Sequence, residues 1–259
     1  MIGNFLFFLY LTYMSCAVPI SLGYKYSYVT NKNYWAESIY MVASFEYEEE
    51  CNKELDVCFP INVVSSTGTA FVVEHYKNKT VFMTAAHLCE PERDPNKFKV
   101  SIALPVEADK KIYKSKKILY SNKHTDLCVF AVEGKIGRKA RLAHRNPRYG
   151  EAIYSIGAPA GYMPTSAKPI TKGLYSGTAK QEYQSEDGKS TEKVNIYNFN
   201  MPTIGGMSGS PIFNDKGQVI GVVSAVLYQW HMVCFSPTRQ QVKAAYIIAM
   251  ENLKIYDPK

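Results

Sequence analysis

The sequence holds no lysine or arginine before Lys25, no internal repeat, no low-complexity tract, no proline-rich linker and no cysteine pair at the short spacing of a zinc site. Each absence excludes something. Without a repeat there is no solenoid or propeller, without a linker no second module, and without paired cysteines no structural zinc, so no metal and no cofactor is expected. Charged residues make up only 20 % of the chain against 46 % hydrophobic ones, a balance that excludes intrinsic disorder and supplies ample material for a core.

The N-terminal apolar run from Phe5 to Met14 is too short for a comfortable membrane span. Ser15-Cys16-Ala17 then offers small residues at the spacing of a signal-peptidase site. Together they predict a signal segment over 1–17 and a secreted or extracytoplasmic protein, with a retained membrane anchor or a virion-associated chain as the alternative. Removal of Cys16 leaves five of the six cysteines. Cys51 and Cys58 flank a short polar stretch and are expected to close a small loop. Cys128 reads as a core thiol, and Cys89 and Cys234 have no partner that spacing assigns.

The net charge of +7 is gathered partly at Lys110, Lys111, Lys114, Lys116 and Lys117. These interleave with Ile112, Tyr113, Ile118 and Leu119, the pattern of a strand or hairpin with one wet face, so no nucleic-acid partner is expected. Short segments rich in β-branched and aromatic residues recur throughout, among them Ile39 to Phe45, Thr67 to Val73, Val81 to Thr84 and Val219 to Leu227. Only Val242 to Leu253, after Ser236-Pro237-Thr238, has helical spacing. The fold class is therefore mostly β with a C-terminal α-helix.

Three segments bear on chemistry. Gly205-Gly206-Met207-Ser208-Gly209-Ser210-Pro211 is glycine-dense around one serine, as acyl transfer requires when two backbone N–H groups, here those of Gly206 and Ser208, must meet a developing oxyanion. Thr84-Ala85-Ala86-His87 places an imidazole after small residues at a strand end. His124-Thr125-Asp126 puts a carboxylate at the mouth of an apolar strand. Their order is His87, Asp126, Ser208, at separations of 39 and 82 residues. A hydrolase with a nucleophile elbow would need the order serine, acid, histidine and a glycine where Ser210 stands.

In these segments the chain resembles the chymotrypsin-fold serine peptidases, most closely the V8-like glutamyl endopeptidases and compact bacterial or phage trypsin-like peptidases. The resemblance runs from about Val63 into the C-terminal helix, through Ile212-Phe213-Asn214 and Val219-Ile220-Gly221-Val222. It implies a domain over 18–259 with two antiparallel six-stranded β-barrels, in lobes of about 38–145 and 146–259. It also implies Ser208 as nucleophile, His87 as general base, Asp126 as its orienting acid and an oxyanion hole at Gly206 and Ser208. Thr203, Ser224, Ala225 and Val226 would line the substrate site, and the partner would be a protein or peptide, with membrane contact only through the N-terminal segment. A catalytically silent peptide-binding relative is the alternative. Three departures bear on specificity. Glutamate-selective relatives carry a histidine where Val223 stands, the acidic pocket of trypsin-like enzymes is replaced by Pro202, and Ala225 and Val226 stand where pocket walls often have glycine. A small or medium apolar side chain at the cleavage site follows. The family cysteine after the histidine is Leu88 here, so its disulfide does not carry over.

Overall fold

Three strands carry apolar residues at consecutive positions where both of their faces are buried: β3 (Val57–Tyr76), over residues 69–73, β4 (Lys79–Thr84) and β8 (Leu127–Glu133). The computed structural model describes residues 27–30, 35–89, 99–106, 111–115, 117–163, 167–184, 191–226 and 233–256. In these strands Ala70, Val72, Phe82, Cys128, Phe130 and Val132 point into the interior of the first sheet. Phe71, Val73, Met83, Leu127 and Val129, on the alternate positions, point out of it into a second core. That second core is closed by Phe213, Val219 and Val222 from the other half of the chain and by Val242, Ala245, Ala249 and Leu253 of the C-terminal helix. Period-two alternation thus makes one strand the wall of two cores.

The first sheet has seven strands. Its order is β6 (Lys111–Lys114), β5 (Lys99–Val106), β2 (Ile39–Asn52), β3, β4, β8 and β7 (Lys117–Asn122), every pairing antiparallel. The second has nine. It runs β15 (Ala225–Val226), β16 (Val233–Pro237), β12 (Thr191–Asn200), β11 (Ala167–Gln184), β10 (Ala152–Ile156), β13 (Pro211–Phe213), β14 (Gln218–Val222) and β9 (Arg141–Leu142), with β1 (Ser27–Thr30) added to β11. It holds a third core around Ile153, Phe199, Met207, Ile212, Ile220 and Val223. Six strands apiece were expected. The difference lies largely in short marginal strands such as β1, β9 and β15, and neither ladder closes on itself among the described residues. Register shifts at Glu46/Glu48, Val72/Glu74, Ile118/Tyr120 and Tyr175/Gly177 supply the bulges that curl long strands toward barrel shape.

Beyond its pairing with β5, the β2–β3 hairpin continues as a two-stranded ribbon stapled by the Cys51–Cys58 disulfide, whose cysteines face each other in register. The signal segment proposed for 1–17 lies outside the described residues. Thr238 caps the C-terminal helix (Arg239–Tyr256), its N–H and hydroxyl both donating to Gln241 Oε1, at 2.6 and 2.8 Å, and its hydroxyl facing the Gln241 N–H. The two halves are further tied by Lys168 of β11. Its buried ammonium donates to the carbonyls of Ala36, at 2.6 Å, and Ile39, and lies over the Tyr40 ring. Burial pulls its pKa down to about 8, with Glu37 opposing.

Candidate active site

Asp126 closes a turn in which Asn122 Oδ1 accepts from the N–H and hydroxyl of Thr125, and the Asp126 N–H reaches the Lys123 carbonyl at 3.3 Å. The turn holds Asp126 at φ 50, a left-handed conformation that aspartate tolerates better than most residues. Its carboxylate is thereby aimed toward the short helix Ala86–Cys89 that follows β4. There it accepts from the backbone N–H of His87 at 3.0 Å and faces His87 Nδ1, with both oxygens at 3.0 Å. A third donor is the Ser224 hydroxyl, at 2.6 Å from Oδ2. With Nδ1 donating to the carboxylate, Nε2 is the ring nitrogen that accepts a proton. The imidazole is 45 % exposed and the carboxylate 18 %, so the acid is the more enclosed member of the pair.

The loop before β13 brings Ser208 against β3, beside the end of β4. Met207, wholly buried in the third core, anchors it. The Met207 N–H bonds to the Ile204 carbonyl, Ser210 N–H to the Met207 carbonyl, and Gly209 N–H to the Val223 carbonyl, at 3.1, 2.9 and 2.7 Å. The Ser208 carbonyl accepts from Thr69 N–H of β3 at 2.8 Å. Gly209, at φ 82, is pressed so closely against the end of β4 that a Cβ there would overlap the Thr69 carbonyl and Thr84 Oγ1, and would stand 3.0 Å from the Ala85 nitrogen. Ser208 therefore borders the segment that leads into His87. Its hydroxyl makes no hydrogen bond among the described residues; such contacts often tighten only when substrate arrives.

The peptide planes of the loop are fixed one by one. The Gly205 carbonyl accepts from Ala160 N–H at 2.7 Å and the Gly206 carbonyl from the Thr69 hydroxyl at 3.1 Å. A trans peptide points its N–H opposite to its C=O. The N–H groups of Gly206 and Ser208 therefore point away from Ala160 and Ser210, the partners of the Gly205 and Met207 carbonyls. Among the described residues neither N–H meets an acceptor.

Of the residues expected to line a substrate site, Ser224 is spent on Asp126, a role that sequence alone did not suggest. Thr203 is fully buried and donates to the Met201 carbonyl at 3.0 Å. Beside it lies the buried thiol of Cys234, pushed up to about 12 by burial against a hydrogen bond with Thr203, and so unreactive. Ala225 is exposed, and the Val226 side chain lies outside the described residues.

Cys128 is not a core thiol. It is bridged to Cys89, which ties the helix carrying His87 to the strand that begins after Asp126. Each cysteine lies two residues beyond a member of the His87–Asp126 pair, so bringing that pair together brings the thiols together as well. A bridge across 39 residues removes about 4 kcal/mol of denatured-state freedom in the chain-entropy account. Replacing both cysteines by serine is accordingly expected to lower the thermal midpoint by about 8–16 °C, at about 2–4 °C per kcal/mol. Scanning calorimetry checks this, and an unchanged midpoint would contradict it.

The profile of the trypsin-like peptidase domain family matches residues 68–222. The serine protease Do-like HtrB of Bacillus subtilis (strain 168) is 30 % identical over 110 residues, covering 42 % of this chain and 23 % of that protein. A probable periplasmic serine endoprotease, DegP-like, of Pseudomonas savastanoi pv. phaseolicola is 30 % identical over 111 residues, 42 % of this chain and 21 % of its own. The matched region is thus less than a quarter of either relative. Among solved structures, the Rv3671c protease from M. tuberculosis in its active form superposes with a TM-score of 0.59 over 83 % of this chain and 82 % of that one, at 16 % identity. Its inactive form gives 0.55, over 79 % and 87 %, also at 16 % identity. At that identity the likeness is one of fold.

Proposed function

We propose that this chain, which belongs to the trypsin-like peptidase family, is a serine endopeptidase with Ser208 as nucleophile, His87 as general base and Asp126 as the residue that orients it. The observation that carries the reading is the Asp126 carboxylate, which gathers the His87 N–H, the imidazole Nδ1 and the Ser224 hydroxyl. Such a clamp fixes one tautomer and one ring orientation. Ser208 Oγ attacks the peptide carbonyl carbon as its proton passes to Nε2, and the oxygen that becomes negative is met by the N–H groups of Gly206 and Ser208. Collapse breaks the C–N bond, the imidazolium protonates the departing amine, and a water deprotonated by the same imidazole then hydrolyses the acyl-serine ester. No metal or cofactor takes part.

The substrate main chain is read along Ala225 and Val226. Their strand ends the nine-stranded sheet and, among the described residues, pairs with β16 alone, which leaves an edge for β-augmentation next to Ser224. Apolar Val223 and the buried Thr203 favour a small or medium apolar residue at the cleaved bond. An extracytoplasmic setting is supported by two disulfides, which persist in oxidising compartments.

A fluorophosphonate probe tests the nucleophile. Native protein is expected to be labelled on Ser208 and Ser208→Ala to stay unlabelled, whereas an unlabelled native protein that still binds peptides would be a silent relative.

A further inference from the structure

A threonine in the middle of a strand normally spends its hydroxyl on solvent or on its own neighbourhood. Thr69 does neither. It is fully buried, and its hydroxyl accepts from the Ala158 N–H at 2.9 Å and donates to the Gly206 carbonyl at 3.1 Å, partners 89 and 137 residues away in the chain. One hydroxyl proton and one lone pair are thus accounted for. The Thr69 N–H holds the Ser208 carbonyl, and its own carbonyl accepts from Thr84 Oγ1 at 2.7 Å.

Gly157 packs close by: a Cβ there would overlap Ser210 Oγ and stand 3.2 Å from Thr69 Oγ1. The other partner of the loop, Ala160, is held in the left-handed region at φ 52, ψ 28, a conformation costly for alanine, and its N–H is what meets the Gly205 carbonyl. The Ala158–Gly161 turn that holds Gly205 is therefore itself tethered to the first sheet through Thr69.

We propose, resting on the peptidase reading above, that Thr69 is a positioning residue: its hydroxyl locks the Gly205–Met207 peptides, and so aims the Gly206 N–H at the oxyanion of the tetrahedral intermediate. It makes the first sheet, which carries His87 and Asp126, set the readiness of a loop carried by the second. Without the hydroxyl the Gly206 carbonyl and Ala158 N–H are left unpaired, and the peptide that presents the Gly206 N–H is held only by Ala160, on a turn that has lost its tether.

The test compares native protein with Thr69→Val, which keeps the shape and the backbone bond to Ser208, and Thr69→Ser, which restores the hydroxyl. Two readouts are taken: amide hydrogen exchange at Ala158 and at Met207, whose N–H shares a peptide with the Gly206 carbonyl and bonds to the Ile204 carbonyl, and kcat and KM on a fluorogenic peptide that the native protein cleaves. In Thr69→Val, exchange at both amides is expected to accelerate and kcat to fall about 10–100-fold with KM within about threefold, the signature of a misaimed transition-state donor. Thr69→Ser should recover both to within about threefold, since it restores the same two bonds. Should Thr69→Val not fold, Thr69→Ala removes the same hydroxyl and carries the same expectations. Unchanged exchange at the two amides overturns the proposal whatever the activity, as does a kcat within about twofold of native in Thr69→Val or equal losses in the valine and serine variants. Failure of the peptidase reading shows differently, as native protein that neither cleaves nor takes the fluorophosphonate.

Discussion

Ser208→Ala is expected to lower kcat on a cleaved peptide by about 10⁶-fold, and His87→Ala by a similar factor. Ser208→Ala/His87→Ala should be no worse than either single variant, because nucleophile and base act as one unit and removing either removes the covalent route. Asp126→Asn should cost about 10⁴-fold: the amide can still occupy the clamp formed by the His87 N–H, the imidazole and the Ser224 hydroxyl, but it favours the wrong tautomer. None of the three should lower the thermal midpoint as far as loss of the Cys89–Cys128 bridge, since His87 is exposed, Ser208 half-buried, and neither belongs to any of the three cores. Steady-state kinetics on enzyme whose concentration is fixed by weight, not by active-site labelling, read these factors. A Ser208→Ala protein within tenfold of native turnover, or losses that multiply in the double variant, would remove Ser208 from the chemistry.

The residues of this constellation were legible because each sits in a short segment whose local composition is unusual: glycines around Ser208, small residues before His87, a lone carboxylate ahead of the apolar strand at Leu127. What stayed hidden were partners chosen by the fold and not by neighbours in sequence. Ser224 follows the apolar run of β14 and looks like the end of a strand; only the approach of the two sheets puts its hydroxyl 2.6 Å from Asp126. Thr69 lies in Thr67-Gly68-Thr69-Ala70, an ordinary alternating entry to a β-strand, and its two hydroxyl bonds span 89 and 137 residues. The Cys89–Cys128 bridge did leave a trace in the sequence, the shared offset of two residues from His87 and Asp126, but the apolar setting of Cys128 pointed to a core thiol. The C-terminal helix extends over Arg239–Tyr256, beyond the Val242 to Leu253 window. Its first turn is set by the Thr238–Gln241 cap, and its last carries Ile255 and Tyr256 exposed, so neither continues the buried stripe.

Gly206→Ala is the most economical probe of the oxyanion site, because Gly205 beside it serves as an internal control. Gly206 has φ 87, and a Cβ there would overlap the Ala158 carbonyl and stand 2.7 Å from the Gly161 nitrogen and 3.0 Å from that of Ala160. An alanine can be accommodated only by pushing the Ala158–Gly161 turn away or by rotating the peptide that joins residues 205 and 206. The first breaks the bond from Ala160 N–H to the Gly205 carbonyl, and the second turns the Gly206 N–H away from the proposed oxyanion position. Either way a transition-state donor is lost, which is expected to cost about 10²–10³-fold in kcat with KM little changed. Gly205 has no neighbour within 4 Å of its would-be Cβ, so Gly205→Ala should stay within about twofold of native, as surface changes free of strain usually do. Kinetics of the two variants side by side separate a stereochemical requirement at one atom from general intolerance of the loop. Equal losses at 205 and 206, or a Gly206→Ala defect that appears wholly in KM, would move the oxyanion away from this N–H.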